Sequence, residues 1–395
     1  MNLSTSILFF LLLLSVAGCG NSAHSTGSQA DSTKKTASNS DVGLTSLIAE
    51  ADRYLQQAPV PLTNFRSERS AGGPNDFYSE GDYWWPDPTN PEGPYIRKDG
   101  NTNPENFVAH RIAMRNLSRW VSTLVAVYKA TGEKKYAEHA LAHLNAFFLN
   151  PATRMNPNLL YAQAIQGRHT GRGIGIIDTI HLIEVARSIQ VLIDMGYLPT
   201  PEEEGLKAWF NEYATWMTTH QYGIDERDHG NNHSTWWAAQ VAAFAKLAGR
   251  EDLLQLTRKR FKTLLSAQMS EQGGFTDELG RTKPYIYMLF NLEGYSTLAK
   301  IASTPEDDLW NYQGTYGSLR AAWNFMLPAI QNKSNWTYPP DIQNFDEVPI
   351  QTPGFLFAAQ AYKDSGMLAT WKGLSPDRKS KEVDRNFPLR RPSLW

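Results

Sequence analysis

The chain has 395 residues, of which 41% are hydrophobic and 20% are charged, and this is enough to form one large domain or two closely joined ones. Its formal net charge of -2 argues against a nucleic-acid-binding surface, so we expect no nucleic-acid partner. Any attraction for an acidic ligand therefore has to come from local arginine and histidine side chains.

The first residues carry an export signal. Residues 7–19, ILFFLLLLSVAGC, are apolar, too short to span a membrane, and end in small residues. VAGC has the lipobox pattern and Cys19 is the only cysteine, so we predict a signal peptide over residues 1–18 and lipid attachment to Cys19. An ordinary signal peptide with a chance cysteine is the alternative. The prediction is an exported protein, held by a lipid anchor in the periplasm or at the outer-membrane surface of a bacterium.

Residues 19–41 are rich in Ser, Thr and Lys without apolar periodicity and are predicted to be a disordered tether. Helical periodicity begins near residue 42, and helices arrive in pairs joined by short Gly- or Pro-bearing links. No alternating run predicts a sheet of any size. We predict an all-α domain over residues 42–395, a single incomplete α/α toroid of paired helices with long loops lining a groove. The predicted helices are 44–58, 111–132, 133–149, 176–198, 201–220, 234–250, 252–268, 287–303, 317–331 and 354–366.

The loop between the first two of these helices, residues 70–107, is long and rich in Gly, Pro and Asn. Loops of this length are usually functional or disordered, and the aromatic content argues against disorder. Because aromatic rings stack on the apolar faces of sugars, we interpret this aromatic loop as a lid over a sugar site, with a purely structural wrap as the alternative. Its candidate substrate-binding residues are Tyr83, Trp84, Trp85 and Arg97.

A second loop, AQAIQGRHTGRGIGIID (162–178), places Arg168, His169 and Arg172 just ahead of a helix predicted to start near Ile176. Basic side chains and free backbone N–H groups at a helix N-terminus favour an anion. The glycines do not match a nucleotide-binding fingerprint, because no strand precedes them and their spacing is wrong. These three side chains are therefore candidates for binding the carboxylates of flanking sugars, and ordering of the loop is the alternative.

Two further loops carry GNNHSTWW (230–237) and GGFTDELGRTKPYIYMLF (273–290). A uronic-acid polymer can be cleaved by β-elimination if its carboxylate is neutralised and a base removes the C5 proton. Asn232 and His233 can donate hydrogen bonds to that carboxylate. Arg281 beside Tyr287 favours a phenolate base. These residues also have structural alternatives. One of Asn231 and Asn232 could cap the helix, and Asn231 is the expected cap; His233 could bond a loop carbonyl, and Arg281 could pair with Glu278.

The segments GNNHSTWWAAQ and DELGRTKPYIY resemble the alginate lyase superfamily of α/α toroid polysaccharide lyases. SEGDYWWPDPTNPEGPYIRKDG with NPENFVAHRIAM is similar to polysaccharide lyase family thirty-eight, and the resemblance covers the chain from about residue 42 onward. It implies that Asn232 and His233 neutralise the uronate carboxyl, that Tyr287 acts as base and acid, and that Arg281 assists. The Arg–Tyr spacing is one residue shorter than in family-five alginate lyases, so Tyr285 stays open as the alternative base.

The predicted activity is therefore β-elimination on an acidic polysaccharide, a β-1,4-linked polyuronate, with mannuronate-rich alginate first and glucuronan second. Three further residues complete the predicted site: Tyr285 and Trp236 beside the groove, and Glu226 as a carboxyl that could be protonated. No HExxH motif occurs and the sole cysteine is assigned to the anchor, so no cofactor and no metal are predicted. The sequence leaves the oligomeric state open.

Two other classes of function fit parts of the sequence. One is a glycan-binding lipoprotein without catalysis, which would not require the four candidate catalytic residues to meet. The other is an α/α toroid glycoside hydrolase, which needs two carboxylates across the scissile bond. Its candidate carboxylates are Asp225, Glu226, Asp277 and Glu278.

Overall fold

The computed structural model describes residues 39–395, with side chains from residue 43 onward. The predicted signal peptide, Cys19 and the predicted tether up to residue 38 lie outside the described residues. Residues 43–395 form one compact unit. Among residues 39–395, none of the helices is both long and apolar enough to cross a membrane.

Helices dominate this part of the chain, as the periodicity predicts. Fourteen α-helices are present in residues 39–395. In chain order they are α1 (Asn39–Tyr54), α2 (Ala109–Thr131), α3 (Lys134–Leu144), α4 (Leu182–Asp194), α5 (Thr200–Thr219), α6 (Gln221–Arg227), α7 (Asn232–Ala248), α8 (Glu251–Gln268), α9 (Thr276–Leu279), α10 (Pro284–Ala302), α11 (Leu319–Gln331), α12 (Pro353–Ala361), α13 (Ser365–Gly373) and α14 (Lys381–Asn386).

The longer helices alternate between an inner and an outer layer. Helices α2, α4, α7, α10 and α12 contact one another in that order and form the inner layer. Outside them, α3 packs on α2, α5 and α8 pack on α7, α11 packs on α10, and α13 packs on α12. Burial agrees with this division, because α10 buries nearly its whole length whereas α8 buries one face. The predicted all-α, incomplete α/α toroid is confirmed.

Two helix ends are explained by the residues at these positions. Gly132 ends α2 in the left-handed conformation, with φ 74°, where a side chain would be strained. Asn231 caps α7, since its side chain accepts a hydrogen bond from the His233 backbone N–H at 3.1 Å. The expected capping role of Asn231 is thus confirmed, and α7 begins with Asn232 and His233 in its first turn.

The predicted helix 176–198 starts later than expected. Residues Gly173–Thr179 form a 3-10 helix, and α4 begins only at Leu182. The Ile176 carbonyl accepts hydrogen bonds from the side chains of Thr179 and Gln240, at 3.0 and 3.2 Å. The bond from Gln240, which lies on α7, is a tertiary contact that local periodicity does not encode, and it helps to hold the tighter turn. Helices α6, α9, α13 and α14, which span four to nine residues, were not predicted as separate helices.

Four short strands organise the two loops nearest the site: β1 (Tyr78–Glu80), β2 (Trp84–Trp85), β3 (Ile96–Arg97) and β4 (Tyr161–Ala164). Strand β2 pairs with β3 in antiparallel fashion, which makes a hairpin of the aromatic loop. Strand β1 pairs with β4 in parallel, which joins the aromatic loop to the second predicted loop. The aromatic loop is thereby fixed beside the N-terminal ends of the inner helices.

Candidate active site

One cavity brings the four predicted loops together. Its volume is about 480 Å³, and its wall is formed by the aromatic loop, the segment before α4, the first turns of α2, α7 and α10, and α14. Although the chain carries a net charge of -2, six arginines and two aspartates line this cavity. They are Arg97, Arg111, Arg115, Arg172, Arg281, Arg385, Asp82 and Asp178.

Tyr287 and Arg281 meet at the N-terminal end of α10. The Arg281 Nη2 atom donates to the Tyr287 hydroxyl at 3.2 Å, and the guanidinium carbon lies 4.3 Å from the centroid of the Tyr287 ring. Arg281 pairs with Asp99 at 3.3 Å rather than with Glu278, so the alternative of a surface pair across the turn is wrong. The Tyr83 hydroxyl lies 3.0 Å from the Tyr287 hydroxyl. Tyr287 thus has a cation and a second phenol at its oxygen.

The acidity of Tyr287 reflects two opposing influences. Burial and the neighbouring Tyr83 raise the pKa of Tyr287 well above the usual value, while the Arg281 charge lowers it. At neutral pH the phenol therefore carries its proton in the free protein. Tyr287 can act as a base only in the fraction of molecules that have lost this proton, and Arg281 is the group placed to stabilise the phenolate oxygen.

His233 lines the cavity with a buried carboxylate behind it. Its Nδ1 atom lies 2.7 Å from Glu226 Oε1, and the Glu226 side chain is 1% exposed. Since Nδ1 faces Glu226, the other ring nitrogen, Nε2, is available to a ligand. His229 stacks on His233 with ring centroids 4.9 Å apart and also lines the cavity. Glu226 therefore acts on His233 and does not itself line the cavity.

Asn232, like His233, is bonded to a buried carboxylate. Its backbone N–H and its side-chain amide donate to the two carboxylate oxygens of Glu278, at 2.7 and 2.8 Å. Glu278 is fully buried, and burial raises its pKa while the Asn232 hydrogen bonds oppose that rise. The amide has two N–H bonds, so one remains for a ligand. A buried glutamate thus fixes each member of the Asn–His pair.

The aromatic loop is held by ion pairs beside Tyr83. Arg111 pairs with Asp82 at 2.5 Å and with Asp178 at 2.9 Å. Arg385, from α14, pairs with the second oxygen of Asp82 at 2.7 Å. Asp82 is thereby bonded to two arginines from distant parts of the chain, and the neighbouring Tyr83 is held against the catalytic tyrosine candidate.

Of the other predicted substrate-binding residues, Tyr83, Trp84, Arg97 and Arg172 line the cavity. Arg172 donates to the Gln163 carbonyl and side-chain oxygens, at 2.9 and 3.3 Å, and it has no ion-pair partner among residues 43–395. Burial lowers the pKa of Arg172 to about 10. A partly desolvated cation without a counter-ion is suited to an acidic ligand.

Six predicted substrate-binding residues do not line the cavity, and Glu226, described above, is one of them. The Tyr285 hydroxyl donates to the Ala329 carbonyl at 3.1 Å in the core, and Trp236 is 0% exposed and donates to the Phe290 carbonyl. Trp85 points its indole N–H to the Asn101 carbonyl, Arg168 bonds the Tyr95 carbonyl, and His169 is exposed outside the cavity. Their placement is explained by core packing and loop ordering, and Tyr285 is not positioned as the base.

The carboxylates proposed for a hydrolase are also poorly placed. Asp225 is exposed and bonds Gln221, Glu226 bonds His233, and Glu278 bonds Asn232. Among the described residues, the carboxylates that line the cavity are Asp82 and Asp178, and both are paired with Arg111. A free acid and base across a glycosidic bond are therefore absent from residues 43–395, which counts against the hydrolase alternative.

Several cavity residues were missed at the sequence level. Arg111 and Arg115 are four residues apart on one face of the otherwise largely apolar helix α2, and that spacing is a signal that could have found them. No local signal marks Arg385 and Asn386, which reach the cavity from the end of the chain. Within the part of the chain that the structure describes, no group of three or more His, Asp or Glu side chains is arranged to hold a metal ion.

Comparison with known proteins defines the class. The alginate lyase family model matches residues 62–336. An alginate lyase from Bacteroides ovatus, solved by crystallography, is 32% identical with a TM-score of 0.78, and the match covers 87% of this chain and 92% of that chain. The fold and the cationic cavity are those of an α/α toroid polysaccharide lyase, an enzyme that cleaves by β-elimination.

More distant structures share the fold. Alginate lyase A1-III from Sphingomonas species A1 is 17% identical with a TM-score of 0.53, and the match covers 82% of this chain and 89% of that chain. A variant of A1-III complexed with a tetrasaccharide is 15% identical with a TM-score of 0.55, covering 89% and 93%. A comparison with curated proteins finds no significant match. The chain belongs to the alginate lyase family.

Proposed function

We propose that this lyase cleaves β-1,4-linked polyuronate, with mannuronate-rich alginate as the first substrate and glucuronan as the second. The observation that carries the proposal is the meeting of Tyr287, Arg281, His233 and Asn232 in one cavity lined by six arginines. A polymer with one carboxylate on every sugar matches that lining. A glycan-binding protein without catalysis would not require a phenol, an imidazole and an amide to converge.

In the proposed reaction, His233 Nε2 and the free N–H of the Asn232 amide donate to the carboxylate of the sugar that is cleaved. The negative charge that develops on this carboxylate as the C5 proton leaves is stabilised by these donors. When His233 donates from both ring nitrogens it carries a positive charge, and Glu226 is placed to balance that charge, because a cation in this partly buried position is costly without a partner.

Tyr287 supplies the proton transfers. Its phenolate oxygen removes the proton from C5, the electron pair forms the C4–C5 double bond, and the C4–O4 bond breaks. The proton then passes from Tyr287 to O4, which regenerates the phenolate. In β-linked mannuronate and glucuronate H5 and O4 lie on the same face of the ring, so one oxygen can perform both steps. Arg281 stabilises the phenolate in the molecules that have lost the phenol proton.

The experiment that tests this function follows the ultraviolet absorbance of the unsaturated product. Purified protein is assayed on mannuronate blocks, guluronate blocks and glucuronan. We expect product on mannuronate blocks first, and loss of turnover in Tyr287→Phe with binding largely kept. Tyr285→Phe is the matched control, because it removes a buried hydroxyl two residues away that bonds only the Ala329 carbonyl. Full activity in Tyr287→Phe would assign the base to another residue.

We also propose that the enzyme is exported and lipid-anchored through Cys19, because VAGC follows an apolar stretch of signal-peptide length. The matching experiment expresses the full chain and its Cys19→Ala variant in a bacterium and measures labelled fatty-acid incorporation and membrane fractionation. The wild type is expected to carry label and sediment with membranes, whereas Cys19→Ala carries none. Equal behaviour of the two proteins would contradict the anchor.

A further inference from the structure

Arg115 differs from the other arginines of the cavity. It projects from α2 and makes no hydrogen bond and no ion pair with any residue in the described range 43–395. Each of the other five contacts a partner: Arg111 and Arg385 bond Asp82, Arg97 and Arg281 bond Asp99, and Arg172 bonds Gln163. Arg115 is therefore the arginine whose donors are left for a ligand.

The charges around Arg115 do not neutralise it. The acid that acts on it most strongly is Asp384, which already pairs with Arg119 at 2.9 Å and also with Arg390. Its other charged neighbours, Arg385, Arg111 and Arg119, are cations. Burial and these cations lower the pKa of Arg115 despite Asp384. Because an unpaired, partly buried cation costs folding free energy, its position indicates a functional use.

Two neutral polar side chains, His181 and Asn386, line the same cavity as this cation. His181 is buried and carries little charge, because burial and the Arg115 charge lower its pKa well below the usual value. The Asn386 oxygen accepts from Arg385 Nε at 3.4 Å, so its amide N–H bonds are left as donors. A guanidinium with amide and imidazole groups in the same cavity suits a carboxylate with neighbouring hydroxyls, as on a uronate sugar.

This cluster, Arg115, His181 and Asn386, comes from different elements than the catalytic group. It is built on α2, on the segment before α4 and on α14, whereas His233, Arg281 and Tyr287 come from α7 and the start of α10. None of those three catalytic candidates is among the charges that act most strongly on Arg115. The two groups therefore come from different elements of the cavity wall and have largely different electrostatic neighbours, although Arg385 interacts with both Arg115 and Tyr287.

We propose that Arg115 binds the carboxylate of a second uronate residue of the same polymer, a residue other than the one that is cleaved. This inference rests on the proposed function. The subsite is completed by Asn386, which lies beyond residue 336, where the match to the alginate lyase family model ends. If one uronate lies at the catalytic group and a second binds Arg115, the enzyme requires a substrate with at least two charged sugars.

The test measures binding without turnover. In the Tyr287→Phe background, the dissociation constants of a mannuronate disaccharide and tetrasaccharide are measured by calorimetry, with and without Arg115→Gln. We expect the tetrasaccharide constant to rise at least about tenfold, equivalent to about 1.4 kcal/mol. Arg115→Lys is expected to lose less affinity for the tetrasaccharide than Arg115→Gln, because lysine keeps the positive charge although it lacks the planar fork of donors. An unchanged constant in Arg115→Gln overturns the proposal.

The matched control is Arg119→Gln, one turn further along α2. Arg119 does not line the cavity, and Asp384 keeps its pair with Arg390 when Arg119 is replaced, so the tetrasaccharide constant should stay unchanged. Thermal unfolding separates ligand binding from a structural role. Removing an unpaired cation should leave the unfolding temperature of Arg115→Gln unchanged or higher, and a clear fall would show a structural role and overturn the proposal.

The two proposals fail in different ways. A wild-type protein that forms no unsaturated product from any polyuronate contradicts the proposed function, and the Arg115 subsite with it. A wild type that cleaves mannuronate blocks, combined with an Arg115→Gln variant that keeps the wild-type KM and binding constant, contradicts the subsite alone.

Discussion

Replacing Glu226 with glutamine is expected to impair catalysis indirectly, by removing the charge that supports His233. The Glu226 carboxylate is 1% exposed and lies 2.7 Å from His233 Nδ1, and its Oε2 atom has no hydrogen-bond partner among the described residues. Glutamine keeps the shape of the side chain and removes its charge. The doubly protonated imidazole that the proposed reaction requires then loses its buried counter-ion.

The magnitude follows from that contact. A hydrogen bond between a protein group and a charged partner contributes about 1.5–3 kcal/mol. With about 1.4 kcal/mol for each factor of ten, kcat/KM should fall by roughly one to two orders of magnitude. We expect most of the loss in kcat, because the substrate carboxylate gains charge in the transition state and the donor is then needed most.

The assay is the initial rate of unsaturated product on mannuronate blocks, measured across pH. Asp225→Asn is the matched control, because it removes the same charge from the preceding position of α6 while its side chain is exposed and bonds Gln221. The control should keep wild-type kcat/KM. If Glu226→Gln also keeps it, the carboxylate does not support His233, and the reasoning about the buried counter-ion is refuted.

Three further predictions concern other buried carboxylates. Glu278→Gln should lower kcat with little change in KM, because it frees the amide of Asn232, and steady-state kinetics checks this. Asp82→Asn breaks two arginine pairs beside Tyr83, so KM should rise and proteolysis within residues 70–107 should become faster. Burial raises the pKa of Glu293 from 4.5 to about 7. The folded state therefore holds this proton more tightly than the unfolded state does. As pH rises from 4.5 through 7, the protein loses roughly 3 kcal/mol of stability. Denaturant unfolding of Glu293→Gln should show a shallower fall in stability over that pH range, and an unchanged slope would contradict the assignment.

Much of the fold could be predicted because its determinants are local. Helices α5, α7, α8 and α10 follow the 3.6-residue period of their own apolar residues, and Gly132 and Asn231 mark helix ends through the conformations they allow. The segment before α4 could not be predicted in this way. Its 3-10 turn is held by the Gln240 side chain from another helix, a contact that has no local signature.

The candidate active site, too, could be predicted only in part from local sequence patterns. Sequence motifs located Asn232, His233, Arg281 and Tyr287, but periodicity alone could not decide between Tyr287 and Tyr285. That choice depends on what lies on each side of α10, which is the aromatic loop for Tyr287 and the Ala329 carbonyl for Tyr285. The buried partners of the Asn–His pair likewise became apparent only when α6, α7 and α9 were placed together.

The position of the cavity explains how a chain with a net charge of -2 can attract a polyanion. The first turns of α2, α7 and α10 all contribute to its wall, and the N-terminal end of a helix carries partial positive charge. Arginines at these ends add full charges, while the acids near them are occupied: Asp82 and Asp178 by Arg111, and Asp99 by Arg281. The lining therefore keeps an excess of positive charge that the whole chain does not have. In the proposed reaction, this positive charge draws the acidic polymer into the cavity, where an amide, an imidazole and a phenol act on its carboxylate and its C5 proton.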